Sequence, residues 1–491
     1  MSSSEADRQI HAFFFPFTAH GHMIPIIDMA KVFAARGVKA TLLLTPHNAS
    51  IFTKSIDQER SLFGLDVHIQ ILGSVLFGEA GLPEDIRSPD MLPNHFLAIK
   101  SLQQPLEQLL EKHRPDFIVA DTFLTFATEA ASKYGIPRFV FHIAGFFSQC
   151  VEETLVSHKP QEGITSDTET FVVPDLPDHI EMTRLQLSDL HRNNDAFAIE
   201  VWADVRESEK KSYGVLVNSF YELEPAYAMH YKNVLCKRAW SIGPVSLANK
   251  NNMDKAAQRG KKTSFDDHFV VNWLDSKEPR SVLYICFGSF YSRFSKAQWH
   301  EIALGLEDSE TSFIWVIRKI KQEEEESYLP EGFEDRITAN KKGLLIKEWA
   351  PQVLILDHPA VGRFMTHCGG NSLLEGVTAG VPMVTWPMSA DMFYNEKFIT
   401  TVLKIGIQVG VEKWNSWLTE SIDVLVKKEK IANVVSRLMG DGEEATNMRT
   451  KAKELSYMAK EAVEKGGSSY ENMTALIEEF KMFKKPSTME N

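Results

Sequence analysis

Short apolar runs alternate with longer amphipathic runs along most of this sequence, and that alternation limits its fold more than any other feature. Residues 10–17 form an apolar run that ends in a loop, and residues 24–36 then carry apolar side chains at helical spacing before Gly37. Parallel strands need a crossover connection, and a helix commonly supplies it. The pattern therefore predicts an α/β protein built on doubly wound parallel sheets.

The alternation occurs twice, once on each side of a polar stretch. Residues 247–264 carry hardly any apolar side chain, which is typical of a solvated linker. Strands are predicted before this stretch at 38–44, 116–120 and 139–141, and after it at 281–287, 312–317 and 363–366. We therefore expect one domain over 1–250, a second over 265–460 and a C-terminal helical segment over 461–491.

The charge and the cysteine content exclude several classes of protein. The 53 Lys and Arg residues are outnumbered by 66 Asp and Glu residues, so the net charge of −13 offers no general attraction for nucleic acid or an anionic membrane. The first apolar run is too short to span a bilayer and lacks the features of a signal peptide. The four cysteines lie far apart without CxxC spacing. We expect a cytosolic monomer with reduced thiols, no membrane span, no nucleic-acid partner and no zinc site.

A glycine-containing loop near residue 370 is a candidate anion site. Residues 363–366 predict a buried strand, residues 367–371 a loop at its carboxyl end, and Ser372 the start of a helix. The N-terminus of a helix presents free N–H groups, and glycines let the backbone approach a diphosphate closely. An ordinary strand-to-helix turn, in which Ser372 and Glu375 form a capping box, explains the same residues equally well.

Two histidines and an aspartate in the first domain are candidates for acid–base chemistry. A general base needs a pKa near neutrality and a carboxylate that orients its ring. His22 follows the first predicted strand and Asp121 ends another, so this pair suits the role best. A lone histidine in a loop is more often a surface residue, and we expect that of His20. A His-x-His pair also suggests a metal site, but no third ligand is evident nearby.

One long motif identifies a family that the sequence resembles. The segment 349–392, WAPQVLILDHPAVGRFMTHCGGNSLLEGVTAGVPMVTWPMSADM, is similar without a gap to the plant secondary-product signature of the UDP-dependent glycosyltransferases of family 1, and the resemblance extends along essentially the whole chain. It implies a GT-B architecture, in which two Rossmann-like doubly wound domains face a cleft, with the acceptor held by the first and the UDP-sugar by the second. It also implies an inverting transfer that needs no metal and no cofactor, because the UDP-sugar is a co-substrate.

The resemblance assigns the uridine contacts to four residues. Carried over residue by residue, it implies that Trp349 stacks on uracil and that Ala350 binds the same base through its backbone. Gln352 and Glu375 would hold the ribose. Each also has a plainer interpretation, with Trp349 as a core aromatic residue and Glu375 as a capping partner.

The diphosphate and the sugar are assigned in the same way. The resemblance implies that His367, Asn371 and Ser372 line the diphosphate, with Ser289 facing it from the 287–289 turn. Asp391 would bind sugar hydroxyls, although it could instead be the N-cap of the helix that follows. A short H-x-x-P motif, HMIP, identifies His22 as the family's catalytic base, and Asp121 matches its partner.

Two positions depart from the family pattern. Most members have Trp within HCGWN where this chain has Gly370, and the signature usually ends in Gln or His where it has Met392. Both side chains normally touch the sugar in this family. The departures leave glucose only narrowly favoured over xylose or galactose, and they admit a UDP-binding protein without transfer activity as an alternative.

The acceptor is the least constrained part of the prediction. Loops vary most and carry specificity, so we expect residues 77–94 and 160–194 to form the acceptor walls. Four segments are most similar to the family branch that glycosylates triterpenoid and steroidal saponins: GLPEDIRSPDML, HIEMTRLQLSDL, SEKKSYGVLVNSFYELEPAY and WSIGPVSL. Apolar surface could come from Phe123, Phe126, Phe146 and Phe147, although core packing is the usual fate of such residues. A flavonoid or phenol acceptor is the alternative, and a dehydrogenase is disfavoured because no strand precedes a G-x-G-x-x-G loop.

Overall fold

Two parallel sheets form the framework of the protein. The computed structural model describes residues 8–73, 86, 91–192, 195–235, 238–248, 267–288, 294–317, 328–347, 349–415 and 425–482. The first sheet has seven strands in the order β3-β2-β1-β4-β5-β8-β9, and the second has six in the order β12-β11-β10-β13-β14-β15. Every pairing within the two sheets is parallel. The predicted α/β class, with two Rossmann-like domains in a GT-B architecture, is confirmed.

The first domain supplies nine strands, two of which pair as a separate antiparallel hairpin. The strands are β1 His11–Phe15, β2 Lys39–Leu44, β3 Val67–Ile71, β4 Phe117–Asp121, β5 Arg138–His142, β6 Thr170–Val173, β7 Ile180–Thr183, β8 Gly214–Val217 and β9 Ala239–Ser241. The helices are α1 His20–Ala34, α2 Pro46–Phe63, α3 Met91–Lys100, α4 Gln103–His113, α5 Phe126–Ser132, α6 Phe146–His158, α7 Asp189–Arg192, α8 Ala196–Lys210 and α9 Pro225–Asn233.

The second domain repeats the alternation of strand and helix. Its strands are β10 Val282–Cys286, β11 Ser312–Val316, β12 Gly343–Ile346, β13 Val361–Thr366, β14 Met383–Thr385 and β15 Gly406–Gln408. Its helices are α10 Asp267–Asp275, α11 Lys296–Asp308, α12 Phe333–Ala339, α13 Gln352–Leu356, α14 Gly370–Ala379, α15 Met392–Lys397, α16 Lys428–Met439 and α17 Glu443–Val463, and the last helix of the chain is α18 Ser468–Met482. Most of the predicted linker, 249–264, lies outside the described residues.

The central strands are covered by helices on both faces, which is why they are continuous apolar runs. In β1, Phe14 belongs to the hydrophobic cluster on one face of the sheet, and Phe13 and Phe15 belong to the cluster on the other. Parallel sheets are buried in this way because their crossover helices cover both sides. Each fully buried phenylalanine side chain contributes about 1.5–3 kcal/mol relative to exposure.

In both sheets the strand order reverses next to the first strand of the domain. The reversal lies between β1 and β4 in the first sheet and between β10 and β13 in the second. Open α/β sheets bind ligands in the crevice at the carboxyl ends of the strands, where the order reverses. The topology therefore indicates one candidate binding crevice in each domain.

The last helix of the chain returns to the first domain. Phe480 of α18 lies 4.8 Å from the ring of Phe117 and 5.6 Å from that of Phe139, both in the first sheet. The guanidinium of Arg36 lies 3.9 Å above the ring of Tyr470. Helix α18 is therefore part of the core of the first domain, although the second domain precedes it in the chain.

Among the described helices, none combines the length and the apolar composition needed to cross a membrane. The thiols of Cys150, Cys286 and Cys368 form no disulfide. Cys236 lies outside the described residues.

Candidate active site

His22 and Asp121 form a hydrogen-bonded pair in the crevice of the first domain. Nδ1 of His22 lies 2.8 Å from Oδ2 of Asp121, and the two side chains are 14% and 0% exposed. The other carboxylate oxygen of Asp121 accepts the backbone N–H of Phe123 at 3.1 Å. A proton on Nδ1 fixes the ring and leaves Nε2 as the basic nitrogen, which is the arrangement of a general base. The structure thus brings together the two residues that the sequence selected for this role.

The pair forms because its two strands are neighbours. In the first sheet Phe15 of β1 is in register with Ala120 of β4. Asp121 is the last residue of β4, and helix α1 begins at His20, shortly after β1 ends. Parallel neighbours end at the same edge, so residues some hundred positions apart meet there.

Arg138 holds the backbone of Asp121 in place. This role was not predicted from the sequence. Its buried guanidinium donates to the backbone carbonyl of Asp121 at 2.9 Å and to the hydroxyls of Thr128 and Ser208, both at 2.8 Å. Burial lowers the pKa of Arg138 to about 10, while the negative charge of Glu209 opposes this shift. The sequence does carry one signal for this role, a charged residue at the start of an apolar strand. Such a residue is expected to have hydrogen-bonding partners because a buried arginine needs them.

On the opposite side of the cleft, helix α14 begins directly after a glycine-rich loop. Gly369 is the N-cap and makes no side-chain capping bond. The alternative interpretation of Ser372 and Glu375 as a capping box is therefore wrong: Ser372 lies inside the helix and its Oγ accepts a 3.1 Å hydrogen bond from Gln352. The first N–H groups of α14 are free of a side-chain cap, as an anion site requires.

The ring of His367 lies between two glycines beside this helix. A Cβ on Gly288 would lie 2.5 Å from Nε2 of His367, and one on Gly369 would lie 2.6 Å from the same atom. Gly288 also has a φ of +86°, which side chains rarely adopt. Both positions therefore require glycine if His367 is to lie at the start of α14. Ser289, predicted to face the diphosphate, lies outside the described residues.

The residues predicted to hold the ribose are bonded to each other. Nε2 of Gln352 lies 2.6 Å from Oε2 of Glu375, and the hydroxyl of Tyr284 donates to Oε1 of Gln352 at 3.3 Å. Ala350 is buried beside Trp349, which is partly exposed. The contacts orient the Glu375 carboxylate at the edge of the second crevice.

Side chains from the two domains meet across the cleft. Nδ2 of Asn371 donates to the carbonyl of Gly21 at 2.5 Å, and the amide of Asn218 approaches Oδ1 of Asn371 at 3.4 Å. The ring of His20 is fully buried and lies 5.4 Å from that of Trp349. The expectation that His20 is a surface residue is wrong, because the second domain covers it.

Asp391 lies in the same cleft, near the His22–Asp121 pair. It occupies the N-cap position of α15 without making a side-chain capping bond, and its carboxylate accepts from Asn395 at 3.0 Å. Burial raises the pKa of Asp391 above its usual value, while the hydrogen bond from Asn395 and the charge of His22 act in the opposite direction. The alternative position of Asp391 as the N-cap of the following helix is therefore confirmed, although its side chain makes no capping bond. Within the described ranges, no group of three or more His, Cys, Asp or Glu side chains is arranged to hold a metal ion.

The departure at position 370 has a structural consequence. A Cβ on Gly370 would lie only 2.6 Å from the carbonyl oxygen of Ile143, in the loop after β5 of the first domain. The absence of a side chain therefore allows the two domains to approach closely at this point. Met392 lies in the first turn of α15, where its sulfur is 3.4 Å from the backbone nitrogen of Ser389.

Aromatic rings surround the ring of His22 on the first domain. Phe17 and Phe123 lie 5.4 and 5.7 Å from the ring of His22, and Trp202 lies 5.8 Å from Phe123. Phe96 packs against Phe17 at 6.2 Å. We call these four residues the aromatic cluster.

Of the four phenylalanines that the sequence named, only Phe123 lies in this cluster. The other three, Phe126, Phe146 and Phe147, are buried in the core. Most of the predicted wall 77–94 lies outside the described residues, and so do positions 193 and 194 of the second wall.

Two parallel α/β domains face each other here, with a histidine–aspartate pair on one and an uncapped helix N-terminus on the other. The two facing domains are the GT-B architecture, which is found in transferases that use nucleotide-activated donors. Residues 102–439 match the family model described as UDP-glucoronosyl and UDP-glucosyl transferase, and the chain belongs to that family. The predicted enzyme class, a UDP-dependent glycosyltransferase, is confirmed.

Known relatives are similar to this chain over nearly its whole length. Scopoletin glucosyltransferase from Nicotiana tabacum is 50% identical, with 97% of this chain and 98% of the relative covered. Anthocyanin 3'-O-beta-glucosyltransferase from Gentiana triflora is 49% identical, with 97% and 99% covered. The crystal structure of Glycyrrhiza uralensis UGT73P12 complexed with glycyrrhetinic acid 3-O-monoglucuronide superposes with a TM-score of 0.88 at 41% identity, covering 96% of each chain. These relatives span more than one class of acceptor, so the narrower saponin placement stays a prediction.

Proposed function

We propose that this protein transfers glucose from UDP-glucose to a hydroxyl group of a plant secondary metabolite, with inversion at the anomeric carbon. The observation that carries the proposal is the 2.8 Å His22–Asp121 pair, which faces the N-terminus of α14 across the cleft. A base on one domain and an anion site on the other leave room for the sugar between them. Direct displacement between these two groups inverts the anomeric centre.

The chemistry follows from the charges at the two ends of the cleft. Nε2 of His22 takes the proton of the acceptor hydroxyl while that oxygen bonds to the anomeric carbon. The bond from this carbon to the UDP oxygen breaks, and its electron pair leaves with UDP. Asp121 stabilises the imidazolium that forms. The N-terminus of α14 and the ring of His367 stabilise the negative charge on the diphosphate, so the reaction needs no metal.

The remaining site residues hold the donor in the roles that the family resemblance implies. Trp349 and Ala350 bind the uracil, and Gln352 with Glu375 binds the ribose hydroxyls. The hydrogen bond between Gln352 and Glu375 supports this assignment because it fixes a carboxylate at the crevice edge. Ser289, Asn371 and Ser372 contact the diphosphate, and Asp391 binds the sugar.

The acceptor that the geometry supports best is a flat phenolic molecule. The aromatic cluster places Phe17 and Phe123 within 6 Å of the base, and Trp202 extends the same wall. Aromatic side chains pack well against flat rings in offset or edge-to-face arrangements. The similarity to scopoletin and anthocyanin glucosyltransferases agrees with this choice.

The other candidate is a triterpenoid or steroidal saponin, which is the acceptor class that the sequence motifs favour. The similarity to UGT73P12, whose structure holds a triterpenoid glucuronide, supports it. Among donors, xylose and galactose are the alternatives to glucose. We further propose that the enzyme acts as a cytosolic monomer, in keeping with its net charge of −13, which offers no general attraction for an anionic membrane.

A matrix of donors and acceptors tests the proposal. UDP-glucose, UDP-xylose and UDP-galactose are each combined with a coumarin, a flavonol, a triterpenoid and a saponin, and products are identified by mass spectrometry. We expect the highest kcat/KM for UDP-glucose with a phenolic acceptor, with UDP released in step with product and no requirement for NAD(P)H. Binding of UDP without transfer to any acceptor would contradict the proposal and favour a protein that only binds UDP.

A further inference from the structure

Glu152 is a carboxylate in the cleft that the proposed mechanism does not use. It lies on α6 of the first domain, where its side chain is 15% exposed. Both of its oxygens lie 3.1 Å from Nε2 of His191, and one also accepts the hydroxyl of Tyr394 at 3.1 Å. Tyr394 belongs to α15 of the second domain, so this carboxylate sits where the domains meet.

Glu152 is close to Asp391 because α6 and α15 pack side by side. One turn before Glu152, the hydroxyl of Ser148 donates to Oδ1 of Asn395 at 2.6 Å. Nδ2 of the same Asn395 donates to Asp391 at 3.0 Å. The negative charge of Glu152 is one of the influences that raise the pKa of Asp391, after burial as the largest.

The sugar of the donor has to occupy this part of the cleft. Asp391 is within electrostatic reach of His22, and Asn395 also donates to the carbonyl of Cys368 at 2.8 Å, next to the start of α14. The sugar lies between the base and the diphosphate site in any displacement reaction. We therefore expect the sugar beside Asp391, at the part of the cleft where α6 carries Glu152.

Glu152 keeps its negative charge in this setting. Burial would raise the pKa of Glu152, but the hydrogen bond and charge of His191 outweigh burial and hold that pKa below its usual value, with smaller contributions from Tyr394 and Arg206. A partly buried charge is screened less by salt than a surface charge.

We propose that Glu152, together with Asp391, makes the sugar end of the cleft electronegative and so excludes donors whose sugar carries a carboxylate. The proposal rests on the proposed function and adds a specificity determinant to it. The family's own description covers both glucuronosyl and glucosyl transfer, so a member needs a means to separate the two donors. Like charges placed close together in a partly buried site repel strongly, and rejection of a wrong ligand often uses such repulsion.

The test compares UDP-glucose with UDP-glucuronic acid on one acceptor. The wild type is expected to prefer UDP-glucose by at least about tenfold in kcat/KM, the order expected for one unit charge acting across a partly buried site. Glu152→Gln, which keeps the oxygen that accepts from Tyr394, should reduce this preference by about tenfold. The matched control is Glu153→Gln, which removes the same charge at the next position of α6 and should leave the preference unchanged.

The outcomes separate this proposal from a purely structural role. If Glu152 only joins the domains, Glu152→Gln lowers kcat/KM for both donors equally and their ratio stays at the wild-type value, which overturns the proposal. A wild type that uses both donors equally also overturns it. Calorimetry measures the affinities for the two UDP-sugars, and the ratio of these affinities reports the donor preference without any transfer reaction. Failure of the proposed function can therefore be told apart from failure of this inference.

Discussion

The side-chain amide of Asn371 donates a 2.5 Å hydrogen bond to the carbonyl of Gly21, and this bond joins the two helices that carry the chemistry. Gly21 precedes His22, the proposed base, in the first turn of α1, and Asn371 lies in the first turn of α14. The contact connects the base directly to the candidate diphosphate site. The two sides of the cleft are therefore in contact in this structure.

Replacing His22, the proposed base, is expected to impair catalysis without weakening donor binding. In His22→Ala, we expect transfer to hydroxyl acceptors to fall by about 10²- to 10⁴-fold, the usual contribution of a general base. UDP affinity should be nearly unchanged because the nucleotide site lies on the other domain. The measurements are steady-state kinetics and calorimetric UDP binding on a variant whose fold is checked by circular dichroism. Near-wild-type turnover in the folded variant would contradict the assignment.

Removal of divalent metal is expected to leave activity intact. The N-terminus of α14 and His367 are proposed to stabilise the leaving diphosphate, so there is no remaining role for a cation. Initial rates are compared before and after exhaustive treatment with EDTA, with added Mg²⁺ as the control. An absolute requirement for added metal would show that these groups do not suffice.

An alanine at position 370 is expected to impair domain closure. The added Cβ would meet the carbonyl oxygen of Ile143 at 2.6 Å, a contact that requires the domains to move apart. We expect Gly370→Ala to lower kcat at least about tenfold while UDP affinity changes little, because misplacement by about 1 Å can cost about 100-fold in rate. The control is Gly442→Ala, where a Cβ would meet no atom within 4 Å. Equal kinetics in the two variants would rule out this role for Gly370.

The sugar preference of a double variant tests whether Gly370 and Met392, the two departures from the family pattern, select the donor sugar. We expect Gly370→Trp combined with Met392→Gln to change the ranking of UDP-sugars, because a site with new hydrogen-bonding side chains penalises misplaced hydroxyls differently. Each donor is assayed at the same concentration. Met392→Gln alone serves as the control, because it lacks the close contact that a side chain at position 370 would make with Ile143. An unchanged donor ranking in both variants would show that these positions do not select the sugar.

Protein stability should fall with rising pH because of Glu396. Burial raises the pKa of Glu396 to about 7 from its usual value of 4.5, and the hydroxyl of Thr385 donates to its carboxyl group at 2.6 Å. The folded state therefore binds the proton more tightly than the unfolded state. The contribution of Glu396 to stability is complete below about pH 4.5 and is lost as the pH rises towards 7.

The variant Glu396→Gln removes this dependence while retaining an oxygen that accepts from Thr385. At pH 8 we expect it to be more stable than the wild type by about 2–3 kcal/mol, with the difference shrinking below pH 5. Urea unfolding at several pH values measures the effect. A constant difference between the two proteins across this range would mean that Glu396 does not titrate as described.

The sequence was sufficient for features that depend on local pattern. Apolar runs that alternate with helical periods are recorded residue by residue, so the strands around His22 and Asp121 and their approach at one sheet edge could be predicted. Arg363–Thr366 was likewise recognised as part of a strand that leads into a helix. The helix itself begins at Gly370, two residues before the predicted start.

Other features were decided only when the two domains came together. His20 was expected at the surface, yet it is buried against Trp349, and Ser372 with Glu375 was equally compatible with a capping box that the structure does not contain. Glu152 gave no motif at all. Arg138 was indicated only by its charge at the start of an apolar strand, and its partners, all in the first domain, come from distant parts of that domain. Local periodicity determines each strand and helix, but burial and hydrogen bonding between residues hundreds of positions apart depend on how whole domains dock, and no short stretch of sequence records that arrangement.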